Sequence, residues 1–449
     1  MPLKVVFCIN QPYTTRMKKI VTLFCLGFME LAAAQQVELV YDINPGLDGS
    51  SILQPVVFDG KLFFPADDNA HGQELWASNG TAGGTQLVKD LNPGGNGSSI
   101  SELAVVNNRL IFSAATNTGY ELFGSDGTLD GTTIFKDINP GVNGSVPTGF
   151  TVVGSVAYFS ANDGTNGEEL WVTDGTPAGT SMVKNINPSG DSYPAQFTPF
   201  NGNLIFRAGD GVNGEELWIS DGTANGTVLL KDIYPQGDGY PRGLKMYNNK
   251  VYFRADTQIG DELWVTDGTT AGTNLLKEIN PDPNDGSGVN ELTEANGRLF
   301  FRARNTTDGF ELWKTDGSIE GTQMVKDINS AGDAFPGALT AYNGRVYFQA
   351  DSGGLDVELW TSDGTEAGTV LVKDINPSGY SAPNEFTVFN NNLYFVADDG
   401  TNGSEFWKTD GTAAGTQKVL ADVPGVSPLY FIPFFTEYNG NLYMKAEYY

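Results

Sequence analysis

Cysteine is almost missing from this chain of 449 residues. The two present, Cys8 and Cys25, both fall in the first 34 positions. The remaining residues therefore have neither disulfides nor thiol chemistry available. Histidine occurs once, as His71. A Ser-His-Asp triad would have to use it, and a zinc site built on several His or Cys ligands is excluded. It sits in the polar run DDNAHGQ, where it reads as part of a loop. Basic residues are scarce, with 26 Lys and Arg against 54 Asp and Glu and a formal net charge of −28. Without residues 1–34 the charge falls to −31. So acidic a chain is a poor partner for nucleic acid, whose phosphates call for a basic surface. It suits a self-repelling, soluble monomer.

Long apolar runs are equally rare. One lies in residues 17–34, MKKIVTLFCLGFMELAAA, where a basic start and an apolar stretch precede three alanines. This is the layout of a secretory leader, expected to be cleaved after Ala34. It is short for a membrane span, and no later segment is long enough. The expected division is residues 1–34 as extension and leader, and residues 35–449 as one domain.

Glycine is plentiful, at 56 residues, as turn-rich β folds require. It belongs to a repeat best seen in ELWVTDGTPAGT, residues 169–180. The motif Glu recurs at Glu74, Glu121, Glu169, Glu216, Glu262, Glu311, Glu358 and Glu405, in steps of 46 to 49 residues. A period of that size made of strand and turn signals indicates a repeat array such as a propeller. Each copy contains four short β-branched or aromatic runs bounded by Asn-Gly or Asp-Gly turns. The second run is apolar at successive positions, as in Leu204-Ile205-Phe206, which is how a strand buried on both faces reads. The fourth is more polar, as an outer edge strand should be.

The reading is an all-β propeller with eight full four-stranded blades, from about residue 50 to about residue 423. Residues 37–43 and 431–446 are left over. They either combine into a partial, composite ninth blade or lie beneath an eight-bladed ring.

Trp fills one third-strand position in seven copies: Trp76, Trp171, Trp218, Trp264, Trp313, Trp360 and Trp407. Such a set reads as blade-to-blade packing, with each N–H satisfied, or as sugar-stacking platforms. The Asp-Gly-Thr-x-x-Gly-Thr segments read as turns. Asn79 and Ser318 vary that motif while keeping a short polar side chain. Lys89, Lys136, Lys184, Lys231, Lys277, Lys326 and Lys373 are expected near the motif Glu across a hairpin. The Asp-rich loops, such as residues 163–168, resemble calcium loops in composition only. Their spacing departs from the EF-hand pattern, so no cofactor is assigned, with Ca²⁺ the one ion considered. One position varies in an organised way, with Arg207, Arg254 and Arg302 in three consecutive copies. They are expected to form an arc, either paired with Asp210, Asp256 or Asp308, or serving as an anion site.

The eight copies of ELW and DGT resemble the bacterial ELWxxDGT repeat family over roughly residues 37–446. Phe123, Asn79, Ser318 and Phe406 depart from the pattern conservatively. The resemblance implies a secreted or surface-exposed protein of a Gram-negative bacterium with propeller-like repeats. Its expected function is non-catalytic binding or adhesion, with an extracellular, acidic polysaccharide or a surface protein as partner. The alternatives are a carbohydrate-active hydrolase working through paired carboxylates, or a passive structural repeat of a larger surface protein. The Asp-Gly-Thr turns loosely resemble the Asp boxes of sialidases. Few carboxylates break the repeat as such an enzyme would require.

Overall fold

The computed structural model describes residues 3–5, 37–45, 49–94, 96–258, 260–282, 285–354, 356–401, 403–419, 429–430, 435–444 and 447–448. Both cysteines and the expected cleavage point lie outside these residues.

Nine four-stranded sheets are arranged as a β-propeller. Blades one to eight each follow chain order, as in blade four: Ala195–Phe200, Asn203–Gly209, Glu215–Ser220 and Val228–Lys231. All neighbours within these eight blades are antiparallel. The ninth, closing blade draws on both ends of the chain. Phe435–Tyr438 and Asn441–Met444 supply its first two strands, and Val37–Leu39 its fourth. The composite ninth blade is therefore the correct alternative. Its third strand is Leu3–Val5, from the extension that precedes the expected leader, and it runs parallel to both neighbours.

The second strands are the core. Leu204, Ile205 and Phe206 are completely buried, because alternate side chains serve opposite junctions. Leu204 and Phe206 pack with blade three, in a cluster with Tyr158 and Leu170. Ile205 packs with Val251 and Phe253 of blade five. The seven Trp are only 5–8% exposed, so they are packing groups and no sugar platform is available. The Trp side chain seals the junction with the preceding blade, as Trp218 does with blade three. The expectation that each indole N–H is satisfied needs correction. Trp407 donates to the Ala397 carbonyl at 3.1 Å, while the other six indole nitrogens have no partner among the described residues.

The meander puts first-to-second and third-to-fourth turns at one end of every blade, the turn end. Second-to-third loops and the linkers between blades lie at the other, the loop end. At the turn end, Asp174 Oδ1 accepts from Thr176 N at 2.8 Å and Thr176 Oγ1 at 2.7 Å, and Thr180 Oγ1 meets Thr173 Oγ1 at 2.7 Å. A Cβ at Gly179 would collide with the Asp174 carboxylate, which explains the second Gly of the motif. Asn79 and Ser318 preserve the same bonds.

The lysines are placed differently from expectation. Lys89, Lys136, Lys184 and Lys277 donate to the carbonyls of Thr132, Thr180, Thr227 and Thr322 in the following blade, at 2.6–2.7 Å. They join blades and do not pair with the motif Glu. In blades one to seven that Glu is buried and clasps the linker leaving its own blade, whereas Glu405 of blade eight pairs with Lys418. Glu169 accepts from Ile186 N at 2.8 Å, Asn187 N at 3.1 Å and Ser192 Oγ at 2.7 Å. Ser192 N in turn bonds Glu168 O, and Ser192 O receives Gly209 N of the next blade. One carboxylate thus fixes the step from blade to blade.

Candidate functional site

The loop end carries the non-repeating chemistry. Arg207, Arg254 and Arg302 occupy equivalent second-strand positions near this end in blades four, five and six, each facing the following blade. Their surroundings differ. Arg207 Nε lies 2.9 Å from Glu215 Oε2, but neither atom is aligned for a hydrogen bond, so the pair is a contact of charges. Arg254 is held at both ends, with Nε 2.7 Å from Asp261 Oδ2 and an Nη bond to Oδ1 at 2.8 Å. Arg302 has no ion pair among the described residues, and its Nε is unpartnered. Its guanidinium lies 5.6 Å from the centre of the Phe310 ring. Burial lowers its pKa and the field of Arg254 adds to that, while Glu291 opposes both.

The expected pairing with Asp210, Asp256 or Asp308 is therefore wrong in its partners. Asp210 caps the Val212 and Asn213 amides, Asp256 pairs with Arg242 at 2.7 Å, and Asp308 bonds Asn305. Loop carboxylates are committed to closing their own turns. The acids that reach the arginines come from the opposing edge of the third strand.

A second feature was missed at the level of sequence. In the linkers into blades one to eight, one equivalent position is always held at positive φ. In four of them it is a large apolar or aromatic residue: Val146 (φ 46°), Tyr193 (φ 48°), Tyr240 (φ 41°) and Phe335 (φ 45°). Their exposures are 51%, 52%, 37% and 51%. Glycine serves this conformation at least cost, and Gly288 does so in one linker. A bulky residue pays on the order of 1–2 kcal/mol for it. Burial does not repay that, since the side chains stay in solvent. Tyr240 flanks Arg207 at 5.8 Å, and Phe335 stacks on Phe310 at 5.3 Å. Arginines and aromatic prongs therefore form one crescent over blades four to seven. A shallow depression of about 530 Å³ opens beside it, lined by Tyr240, Arg242, Asp256 and Asp261. The available signal was an apolar residue recurring in an otherwise polar linker, at the position after Ser145 or Ser192.

His71 lies outside the crescent, in blade one. Its Nδ1 meets Asp68 Oδ2 at 2.7 Å, and Asp68 raises its pKa through that bond and its charge. The Asp-rich loop expected to resemble a calcium loop is closed on itself. Asp163 accepts from Thr165 N, Asn166 N and Asn166 Nδ2 at 2.7–2.9 Å. Among the described residues, no group of three His, Cys, Asp or Glu side chains converges as a metal site would. No helix among them is long and apolar enough to cross a membrane.

No family model and no curated protein matches the chain. Solved structures do. Puromycin hydrolase aligns at 15% identity with a TM-score of 0.40, over 76% of this chain and 57% of its own length. The propeller domain of the trilobed protease from Pyrococcus furiosus aligns at 12% identity with a TM-score of 0.37, over 72% of this chain and 98% of that domain. A prolyl endopeptidase aligns at 11% identity with a TM-score of 0.42, over 78% of this chain and 55% of its own length. This chain thus spans little more than half of the two complete enzymes, and at such identities the likeness is one of fold. These neighbours are propellers of peptidases, and none is an adhesin or a polysaccharide-binding protein. The expectation of an adhesion module for extracellular glycan is corrected on that finding.

Proposed function

We propose that this propeller is a peptide-docking domain of the kind that accompanies peptidases, with its loop end as the docking face and no catalytic group of its own. The observation that carries the reading is the Arg302 guanidinium, half-buried and without an ion pair among the described residues. In a chain with twice as many acids as bases, an unpaired buried cation costs stability. A carboxylate from outside would restore it. The planar fork of Arg takes a carboxylate bidentately, so a free C-terminus or an acidic side chain of an extended peptide fits. Tyr193, Tyr240 and Phe335 would hold the flanking side chains, since aromatic rings with few rotors bind at low entropic cost.

The test is titration of a labelled acidic peptide with a free C-terminus against the full chain and its Arg302→Gln variant. The variant should bind at least tenfold more weakly, and the wild type should weaken with salt. Equal binding by both proteins, or tighter binding of a polyuronate than of the peptide, would remove this reading.

A further inference from the structure

The closing blade differs from the other eight at its third strand. In blades one to eight that strand carries the Glu-Leu-Trp motif, or a close variant, and runs antiparallel to both neighbours, over six or seven register pairs with the second strand. In the closing blade, Leu3–Val5 makes only two register pairs with Asn441–Met444, Lys4 to Tyr443 and Val5 to Met444, and runs parallel to it. The frame around it is nonetheless that of the other blades. Asn441-Leu442-Tyr443 repeats Asn392-Leu393-Tyr394 of blade eight, and Leu442 and Tyr443 are equally buried.

Two requirements of that frame are met in the other blades by the motif. Ile43 and Asn44, 5% and 4% exposed, stand where Ile186 and Asn187 donate their N–H groups to Glu169. Among the described residues no motif carboxylate reaches Ile43 and Asn44. Every junction into blades one to eight also contains the Trp or Phe of the following blade's third strand, as Trp407 does between blades seven and eight. The junction between blade eight and the closing blade contains no third-strand ring of the closing blade; Phe406 of blade eight, where the other motifs carry Leu, stacks there on Phe435 at 5.5 Å beside Leu442 and Met444. The closing blade thus keeps the frame of a motif strand while its own third strand supplies neither the Glu nor the Trp.

We propose that the third-strand position of the closing blade is a strand-acceptor site for a segment bearing the Glu-Leu-Trp motif, delivered by another polypeptide and laid antiparallel to Asn441–Met444. The incoming Glu clasps the Ile43 and Asn44 amides, and the Trp packs against Met444 as Trp407 packs against Phe395 in blade eight. This is β-strand addition with two side-chain determinants, in which the main chain gives affinity and the two side chains give selection. Leu3–Val5 is the placeholder that the incoming strand displaces. Removal of the expected leader would uncover the same position.

The experiment uses a labelled peptide of the chain's own sequence Glu168–Thr176, EELWVTDGT, with the full chain and its Lys4→Pro variant. Proline lacks the N–H that a central strand needs, so the variant should release the placeholder. The peptide is expected to bind the variant at least tenfold more tightly than the wild type. Replacing its second Glu by Gln, or its Trp by Ala, should each weaken binding at least tenfold. A photo-crosslinker at the peptide Leu should label residues 441–444. Absence of binding to both proteins, indifference to the Glu and Trp replacements, or labelling confined to other blades would each overturn the proposal.

Discussion

The two ends of this propeller obey different rules. At the turn end, blades one to eight solve the same problem with the same atoms. The hydroxyl pairs Ser78–Thr85, Thr173–Thr180, Thr315–Thr322 and Thr409–Thr416 all lie at 2.7–2.8 Å. Gly, Asn or Asp sits where a positive φ is needed, as at Gly175 (φ 85°) and Asn201 (φ 49°). At the loop end the backbone step is just as regular, but the side chains differ from blade to blade, and Tyr193, Tyr240 and Phe335 occupy a conformation that glycine would hold more cheaply. Uniform, satisfied bonding marks the end that builds the fold. Strained linker residues and an arginine without an ion pair among the described residues mark the end proposed as the docking face.

The largest effect should come from the shared core. Trp171→Ala or Trp313→Ala would leave a cavity at a blade junction and cost about 3–5 kcal/mol, since each ring is nearly fully buried. A change in the denaturation midpoint at constant m-value would measure it. Peptide capture at the loop end should survive in whatever fraction stays folded. An unchanged midpoint would mean that the ring is not part of the core.

The belt of motif Glu residues sets the next effect, and it tests both ends together because each carboxylate joins a strand to a loop-end linker. Burial pushes Glu216, Glu262 and Glu311 up to about 7, despite the amide donors that hold the ionised form. The folded chain therefore keeps protons that the unfolded chain has lost between pH 4.5 and 7. The resulting stability is fully present below pH 4.5 and disappears as pH rises through 7. Turn-end carboxylates such as Asp174 act the other way, since bonds from Thr176 lower their pKa and their contribution is lost in acid. Tm should pass through a maximum near pH 5 and be lower at pH 8, with roughly 2–3 kcal/mol of stability lost for each raised Glu. The Glu262→Gln variant should show a shallower fall from pH 5 to 8. A Tm that rises steadily from pH 5 to 8 would contradict this account of the belt.

How much of this was readable in the chain divides along the same line. Repetition made the turn end and the four-stranded blade legible, because each position was written eight times. It also located the arginine position, which stood out against the repeat. It did not reveal the partners. The distance in sequence from Arg254 to Asp261 is no shorter in kind than that to Asp256, and only the strand register selects between them. The lysines were assigned across a hairpin because sequence separation favours local pairs. Their real acceptors lie 43 to 45 residues away, in the next blade. The first, second and fourth strands of the closing blade were legible, but whether they joined into one blade was not. Its third strand was not legible, because Leu-Lys-Val at residues 3–5 carries no trace of the motif.

The smallest effect on stability gives the sharpest separation of the two ends. Tyr193 is half exposed, at φ 48°, and the neighbouring Asp191 raises its pKa. Tyr193→Gly removes the backbone penalty and loses little packing. It should therefore be neutral or stabilising, by up to about 1 kcal/mol. The same change removes an aromatic prong from the docking crescent and should weaken capture of the acidic peptide several-fold. Gly175→Ala at the turn end has the opposite character. It forces a Cβ into a positive-φ turn, and it should destabilise the fold by about 1 kcal/mol while leaving capture by the folded protein unchanged. Thermal melts and peptide titrations of the two single variants supply the four numbers needed. If Tyr193→Gly destabilised the chain and left capture intact, the strained residue would belong to the fold, and the distinction between the two ends would fail at the position where it is most clearly drawn.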